Sequence, residues 1–214
     1  MIEDCRADKP AGWSYFLKTY TPVMRRWLAH YCPGADLDRI LPPVKQAVAA
    51  MEPGPERPFL CELRQAVVAA AESGDPVERG LDLETLSSAL EPLTVIEKQA
   101  VCLELMGYPD ADAARMLRMD GATVAKMRDK AADLMRSRVD TWRRTLIAEC
   151  GPALRRAIAG ARSAECYPPK TFFDFLDGRT NWYARGELGR HVVSCWFCID
   201  HFCRCREVSD SPRA

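Results

Sequence analysis

Cysteine and histidine concentrate between residues 166 and 205, which hold five of the ten cysteines and two of the three histidines. Within this stretch, the spacing H-x3-C-x2-C is formed by His191, Cys195 and Cys198. Residues three and four apart share one face of a helix, so these donors would point the same way. Tetrahedral zinc needs a fourth soft donor. Cys166, which lies upstream of a helix that would fold back, is the best candidate, and the four residues together predict a zinc site.

Two alternatives to a metal site are a disulfide framework and buried free thiols. A disulfide framework needs an oxidising compartment, and the first ten residues contain no apolar run that would serve as a signal peptide. We therefore expect a reducing, cytoplasmic setting and metal or redox chemistry. Five scattered cysteines are expected to be plain packing thiols, namely Cys5, Cys32, Cys61, Cys102 and Cys150.

The composition is that of an ordinary globular chain, with 48 % hydrophobic and 28 % charged residues. No apolar run approaches the ~18 residues that a membrane helix needs, so no membrane partner is expected. Thirty basic and thirty acidic side chains cancel. A neutral chain binds nucleic acid only where charge is locally asymmetric. From Lys126 to Arg162 the chain has ten basic and four acidic residues, so this segment meets that condition.

Apolar residues recur at intervals of three and four along most of the chain, which predicts helices. Residues 11–31 form the first such stripe, and residues 59–71 form a later one. Between them, a helix predicted over Asp36–Met51 would be interrupted at Pro42-Pro43. The expected class is all-α. The predicted domains are a helical domain over 1–74, a linker over 75–85, a helix-turn-helix domain over 86–138, a connector helix over 139–163 and a small Cys/His-rich domain over 164–214.

A helix-turn-helix is predicted within 86–138, where Thr94 and Glu97 form a capping-box pattern before the first helix. A short helix ends near Leu117, a turn follows, and a second helix opens at Ala122 or Thr123. Basic side chains near the start of such a second helix meet base edges and phosphates. The predicted DNA contacts are therefore Thr123, Lys126, Arg128 and Lys130. The alternative is a solvated helix with charge pairs four residues apart.

Residues 90–136 resemble region 4 of bacterial sigma factors. The resemblance lies in Leu93-x-x-x-Glu97, in Asp112-Ala-Ala-x-x-Leu117 and in the Thr123-Val-x-Lys-x-Arg-x-Lys-Ala131 helix. Residues 12–72 resemble a degenerate region 2 of the same family, through Trp13-x-x-Phe16-x-x-x-Tyr20. The resemblance implies binding to promoter DNA and core RNA polymerase, with region 4 in the major groove.

The C-terminal segment resembles the zinc-binding anti-sigma domain of bacteria. Cys166-Tyr-Pro168, Phe175-Leu-Asp-Gly178 and the His191–Cys198 spacing carry this resemblance. The further pair Cys203-Arg-Cys205 is similar to the cysteine-rich tail of metal-responsive extracytoplasmic-function sigma factors. Two such close thiolates suit Cu(I), Cd(II) or Zn(II), so Cys203 and Cys205 are predicted as a metal-sensing pair.

The resemblances together imply a sigma-like transcription regulator with a built-in metal-binding domain that regulates it, either directly or with a regulatory protein as a further partner. The alternative is an adapter or anti-sigma-type interaction module without promoter melting, which zero net charge and the Pro42-Pro43 interruption favour. No nucleophile–base pattern or glycine-rich phosphate loop is present in the sequence, so an enzyme is not expected.

Overall fold

The computed structural model describes residues 1–72, 83–136 and 147–210. Within these ranges the regular structure is all α-helix, with no strand, which confirms the predicted all-α class. The helices of the described residues are α1 Ile2–Arg6, α2 Pro10–Tyr31, α3 Leu37–Ala50, α4 Glu56–Ala71, α5 Leu83–Ala89, α6 Val95–Leu105, α7 Asp110–Leu117, α8 Gly121–Arg136, α9 Ile147–Gly160, α10 Pro169–Leu176, α11 Trp182–Val192 and α12 Trp196–Asp210.

The described residues form two compact units, of which the first holds α1–α4 and the second holds α5–α12. The second unit contains both the segment predicted as a helix-turn-helix and the Cys/His-rich segment. Most of the predicted linker, residues 75–82, lies outside the described residues, as do residues 139–146 of the predicted connector. Among the described residues, no helix combines the length and apolarity that spanning a membrane requires.

The first unit is built around the apolar faces of α2 and α4. Phe16 and Met24 of α2 and Leu63 and Val67 of α4 are fully buried, as their spacing of three and four residues predicts. The short α1 is tied to α3 through Arg6, whose Nε and Nη2 donate to the carbonyl oxygens of residues 49 and 51 at 3.1 and 2.8 Å. A guanidinium at this place satisfies carbonyls that the end of a helix leaves open.

Helix α3 runs without a break from Leu37 to Ala50, so the predicted interruption at Pro42-Pro43 is wrong. Each proline removes one amide donor and leaves the carbonyl four residues earlier without its helical partner. Both prolines are on the exposed face of α3, where water can take up those carbonyls. Asp36 caps the start of this helix, because its side chain accepts from the Asp38 amide at 3.0 Å.

The helices α6, α7 and α8 are joined by two turns whose backbones fit their sequences. The capping box at Thr94 and Glu97 is present and starts α6. Gly107, at φ +82°, ends α6, since a left-handed backbone is easiest for glycine. A three-residue turn separates α7 from α8, and its first residue, Arg118, is also left-handed at φ +58°. In this turn Asp120 accepts from the Thr123 amide at 2.8 Å and caps α8.

The last helix, α12, forms the core of the second unit, where it packs against α6, α7, α9, α10 and α11. Arg206 of α12 donates through Nε to Gln99 Oε1 of α6 and through Nη1 to the Met116 carbonyl of α7, each at 3.0 Å. Lys98 of α6 donates to the Val193 carbonyl at 2.6 Å, at the end of α11. The helix-turn-helix segment and the Cys/His-rich segment are therefore linked by partly buried hydrogen bonds.

Helix α9 continues through Gly151 and Pro152, although a Gly-Pro pair favours a turn. It is held against α6 by Arg155, whose Nη1 donates to the Leu105 carbonyl at the end of that helix. Leu154 and Ile158 are buried on the same face of α9. These tertiary contacts outweigh the local preference of Gly-Pro for a turn.

Gly12 of α2 lies where α1 crosses it, and a Cβ there would sit 2.6 Å from Asp4 Cβ and 2.9 Å from the Asp4 carbonyl carbon. We expect Gly12→Ala to lower the free energy of unfolding of the intact chain by about 1–3 kcal/mol, because the backbone must shift to make room. Urea denaturation followed by circular dichroism measures it. Gly121→Ala is the matched control, since its Cβ meets nothing within 4 Å. Equal stability of the two variants would contradict the close α1–α2 packing.

Candidate metal centre

The structure brings together the four residues predicted to bind zinc. One donor atom from each of Cys166, His191, Cys195 and Cys198 lies within 4.8 Å of the others. The Sγ atoms of Cys166 and Cys195 are 3.7 Å apart, and Cys198 Sγ is 3.3 Å from His191 Nε2. The three thiols are free, and a sulfur–sulfur distance of 3.7 Å is far beyond a disulfide bond.

These distances fit one tetrahedral zinc ion. Bond lengths of about 2.3 Å to sulfur and about 2.0 Å to nitrogen place the sulfurs of a tetrahedral site about 3.8 Å apart, and sulfur and nitrogen about 3.5 Å apart. Three thiolates and one imidazole form a donor set that closes all four positions. A closed set of this kind is typical of structural zinc and leaves no place for a reacting water.

Each donor is positioned by a different part of the C-terminal segment. Cys166 lies in the loop between α9 and α10, His191 lies in the last turn of α11, and Cys198 lies in the first turn of α12. Cys195 occupies the short turn between α11 and α12, where its amide donates to the His191 carbonyl at 3.2 Å. A loop and two helices thus meet at one point, and an ion there would fasten all three.

Backbone amides point at the sulfur atoms. The Ser163 amide donates to Cys166 Sγ at 3.3 Å, and the Ser163 hydroxyl lies 3.5 Å from the same sulfur. The amide of Cys198 donates to Cys195 Sγ, and the amide of Tyr167 donates to Cys198 Sγ. Such donors stabilise thiolates and orient them toward a metal. All three sulfurs are therefore supplied with partners that favour the ionised form.

The three thiols differ in acidity. Burial raises the pKa of Cys195 and of Cys198 above the ordinary thiol value, and the charge of Cys166 raises the pKa of both further. Burial also opposes ionisation of Cys166, but hydrogen bonds from Ser163 outweigh it and lower the pKa of this thiol. Without a cation, the sulfurs cannot all ionise at once, because like charges this close repel. A zinc ion would remove that obstacle, and its binding would release protons.

Cys203 and Cys205 do not form the predicted metal-sensing pair. Both lie within α12, where residues two apart point to different sides of the helix. Cys203 Sγ faces α6, at 3.7 Å from the Gln99 carbonyl oxygen, whereas Cys205 Sγ lies 4.0 Å from the Pro169 carbonyl oxygen at the start of α10. A hydrogen bond with Cys203, together with burial, raises the pKa of Cys102 well above the ordinary value.

Three of the scattered cysteines expected to be packing thiols are buried. Cys5, Cys61 and Cys102 are at most 2 % exposed. Cys32 is half-buried, and the side chain of Cys150 lies outside the described residues.

Arg128, predicted to contact DNA, is only 5 % exposed and belongs to the interior. Its Nη1 forms an ion pair with Asp110 at 2.7 Å, and its Nε donates to the Ala100 carbonyl at 3.3 Å. The spacing explains the error. Positions 124, 128, 131 and 135 follow intervals of four, three and four, so Arg128 shares the buried face of Val124 and Met135. The arginine joins α8 to the start of α7.

The other predicted DNA contacts lie at the surface or in the cap of α8. Lys126 is exposed and forms no ion pair among the described residues. Lys130 is half-exposed and pairs with Glu97 of α6 at 2.7 Å. The Thr123 hydroxyl donates to Asp120 Oδ2 at 2.6 Å, so it is already engaged in the cap. The structure therefore leaves Lys126 as the one predicted basic contact in the described part of the chain that is both exposed and unengaged.

The exposed face of α8 carries charges of both signs. Lys126, Lys130 and Arg136 lie there together with Asp129 and Asp133. Arg136 pairs with Asp133 at 2.8 Å. The basic excess that the sequence shows for this region is therefore small on the helix surface itself.

Comparison with protein-family models, with curated proteins and with solved structures found no match. The metal centre and the helix-turn-helix surface are therefore interpreted from their own geometry.

Two residues that support the metal centre were not found from the sequence. Tyr167 acts through its backbone amide, which any residue type can supply, whereas Ser163 acts through both its amide and its hydroxyl. Tyr167 also packs its ring edge-on against His191, with 5.4 Å between ring centroids. Lys98 donates to the Val193 carbonyl, two residues before Cys195, and no motif in the sequence singles it out.

The burial of Arg128 gives a direct test of its role. We expect Arg128→Ala to lower the free energy of unfolding by about 2–3 kcal/mol, because it leaves the Ala100 carbonyl and the Asp110 carboxylate without their partner. Lys126→Ala is the matched control at an exposed position of the same helix and should change stability by less than about 0.5 kcal/mol. Chemical denaturation of both variants measures this. A stable Arg128→Ala protein would show that the arginine is not a structural residue.

Proposed function

We propose that this chain is a sigma-factor-like transcription regulator in which a zinc ion, bound by Cys166, His191, Cys195 and Cys198, holds the C-terminal helices against a helix-turn-helix. The observation that carries the proposal is the gathering of these four donor atoms within 4.8 Å. The zinc ion has a structural role, because four protein donors close its coordination. The chain acts by binding and performs no catalysis.

The coupling between metal and helix-turn-helix rests on α12. Cys198 lies in its first turn, and Arg206 in its later part bonds to α6 and α7. Zinc fixes the start of α12, so the ion stabilises the packing of the same helix against α6 and α7. The binding energy of structural zinc, on the order of 10 kcal/mol, exceeds what a small helical segment gains from packing alone.

Contact with promoter DNA would be made by the exposed start of α8. The three-residue turn and the capped start of α8 are the features that a major-groove helix needs. Lys126 supplies a free cation there, and Lys130 supplies a second one if its pair with Glu97 opens. Core RNA polymerase is the second proposed partner, through the region 2-like unit of α1–α4.

A second candidate function is that of an adapter that binds proteins with sigma-like helices and does not melt promoters. Two observations favour it. Arg128 is committed to the interior, and the surface of α8 has nearly balanced charges, which weakens the phosphate contacts. Pro42 and Pro43 are exposed on α3 and leave two carbonyls of that surface without helical partners, so they can accept hydrogen bonds from a bound protein.

The zinc site is tested by metal analysis of the intact chain purified under reducing conditions. We expect one zinc ion per chain. The variants His191→Ala and Cys198→Ser should each lose the ion, because only three of the four protein donors then remain. Cys32→Ser, a half-buried thiol outside the cluster, is the matched control and should keep the ion. Removal of zinc by a chelator should lower the melting temperature of the second unit, followed by circular dichroism. A metal-free chain with unchanged stability would refute the site.

DNA binding is tested with zinc-loaded full chain and fluorescently labelled double-stranded DNA carrying candidate promoters, over a range of salt concentrations. We expect Lys126→Ala to weaken binding on all sequences and to reduce the slope of log affinity against log salt by about 1, as loss of one phosphate contact does. Lys18→Ala removes the same charge from an exposed position in the first unit and should leave the affinity unchanged.

Binding to core RNA polymerase, measured in parallel by pull-down, separates the two candidate functions. Polymerase binding together with salt-dependent DNA binding supports the regulator. Polymerase binding without DNA binding supports the adapter, and the absence of both refutes the two candidates.

A further inference from the structure

His201 of α12 is a buried histidine in an aromatic setting. The residue is 6 % exposed, and neither ring nitrogen has a hydrogen-bond partner among the described residues. The imidazole packs against Phe172 of α10, with 5.3 Å between ring centroids, and edge-on against Phe197 one turn earlier, at 5.5 Å. Burying a polar nitrogen without a partner costs free energy, so a ring with two such nitrogens indicates a site for a ligand.

A thiol lies beside this imidazole. Cys205 follows His201 by four residues, on the same face of α12, and it is fully buried and outside any disulfide. A ring nitrogen of His201 and Sγ of Cys205 lie within 4.8 Å of each other. Bond lengths of about 2.3 Å to sulfur and about 2.0 Å to nitrogen add up to about 4.3 Å, so one metal ion can bridge two atoms at such a distance.

The same spacing of histidine and cysteine occurs in the zinc site. His191 and Cys195 are four residues apart, and His201 and Cys205 repeat that spacing ten residues later. The two pairs differ in position, because the second one lies wholly within α12. An ion bound there would connect two successive turns of that helix.

The charge of the surroundings decides which cation fits. Burial lowers the pKa of His201 well below its ordinary value, and the positive charges of Arg204 and Arg162 lower it further. The imidazole is therefore neutral and keeps a lone pair for a metal. A monovalent cation held by this imidazole and by the Cys205 thiolate forms an assembly without net charge. A zinc ion held by the same two groups would leave one positive charge buried near two arginines, which is unfavourable.

We propose that a ring nitrogen of His201 and Sγ of Cys205 bind one Cu(I) ion. Imidazole and thiolate are both copper ligands, and thiolates favour Cu(I) as a soft monovalent cation. Binding replaces the proton of the Cys205 thiol, and that proton is released to solvent. This site is additional to the zinc site, and it does not depend on the proposed DNA or polymerase contacts.

Titration of the zinc-loaded full chain with Cu(I), under anaerobic conditions and against a coloured Cu(I) chelator, tests the site. We expect one Cu(I) ion per chain with the zinc retained, as measured by elemental analysis after desalting. X-ray absorption at the copper edge should show both nitrogen and sulfur ligands. Release of zinc in step with copper uptake, or coordination by sulfur alone, would place the copper on the thiols of the zinc site and overturn the proposal.

His201→Phe separates copper binding from folding. The variant removes both nitrogens and keeps a ring of similar size beside Phe172 and Phe197. Without copper, its melting temperature should be at least that of the wild type, because no unpaired polar atom remains in the ring. Its Cu(I) affinity should fall by about a hundredfold or more, since even the outer partners of metal ligands are worth roughly 10- to 100-fold. A strongly destabilised His201→Phe protein would show that the imidazole has a structural role and would overturn the proposal.

Cys205→Ala and Cys203→Ala form a matched pair of thiol variants. Both thiols are fully buried on α12, but Cys203 Sγ lies at 3.7 Å from the Gln99 carbonyl oxygen of α6. We expect Cys205→Ala to lose Cu(I) affinity as His201→Phe does, whereas Cys203→Ala should keep it. Equal affinity in the wild type, His201→Phe and Cys205→Ala contradicts the site, whether or not zinc is bound.

The choice of a monovalent cation is tested by adding excess Zn²⁺ to the zinc-loaded chain. We expect no second zinc ion at this site. Uptake of a second zinc ion that His201→Phe abolishes would place a divalent cation on this pair and overturn the assignment to Cu(I).

Discussion

Three sulfur atoms and one imidazole nitrogen that lie within 4.8 Å of one another set the main constraint on the second unit. Thiolates at such distances repel, so in the absence of a cation at least two of the thiols must stay protonated. The structure nevertheless directs an amide at each sulfur, which favours ionisation. A divalent cation would reconcile these two tendencies. The loop of Cys166, the end of α11 and the start of α12 would then become one rigid junction.

This junction matters because α12, which begins there, extends into the core of the second unit. The helix leaves the cluster and passes between α6, α7, α9 and α10, with Cys203, Cys205 and Arg204 all at most 1 % exposed. Arg204 is balanced by Asp200 one turn earlier, at 2.9 Å. A buried arginine without a partner would cost several kcal/mol, so this pair is needed for the helix to lie in the interior. The Cys/His-rich segment is thus part of the core against which α6 and α7 pack.

Much of this was predictable from the sequence. The all-α class follows from apolar spacing, and the H-x3-C-x2-C pattern identifies three donors. They do not share one helical face as expected, because α11 ends at Val192 and α12 begins at Trp196, with Cys195 in the turn between them. Arg128 was assigned wrongly because residue type was given more weight than position, although its place between Val124 and Ala131 puts it on the buried face. Pro42-Pro43 was read as a break, because the sequence does not reveal that both carbonyls left without partners face solvent. Cys203 and Cys205 were predicted to act as a pair because they are close in the sequence, but residues two apart in a helix point to different sides.

The position of α12 in the core has a consequence for how the chain is made. Helices α6–α8 are translated well before α12. Their apolar faces are covered, and Gln99 and Met116 accept the hydrogen bonds of Arg206, only once α12 has been made. Domains fold as they emerge from the ribosome, with the N-terminal part first. The first unit can fold early, whereas α6–α8 must wait with exposed apolar surface until the C-terminal residues are synthesised. This interval is the stage at which a nascent chain most needs a chaperone.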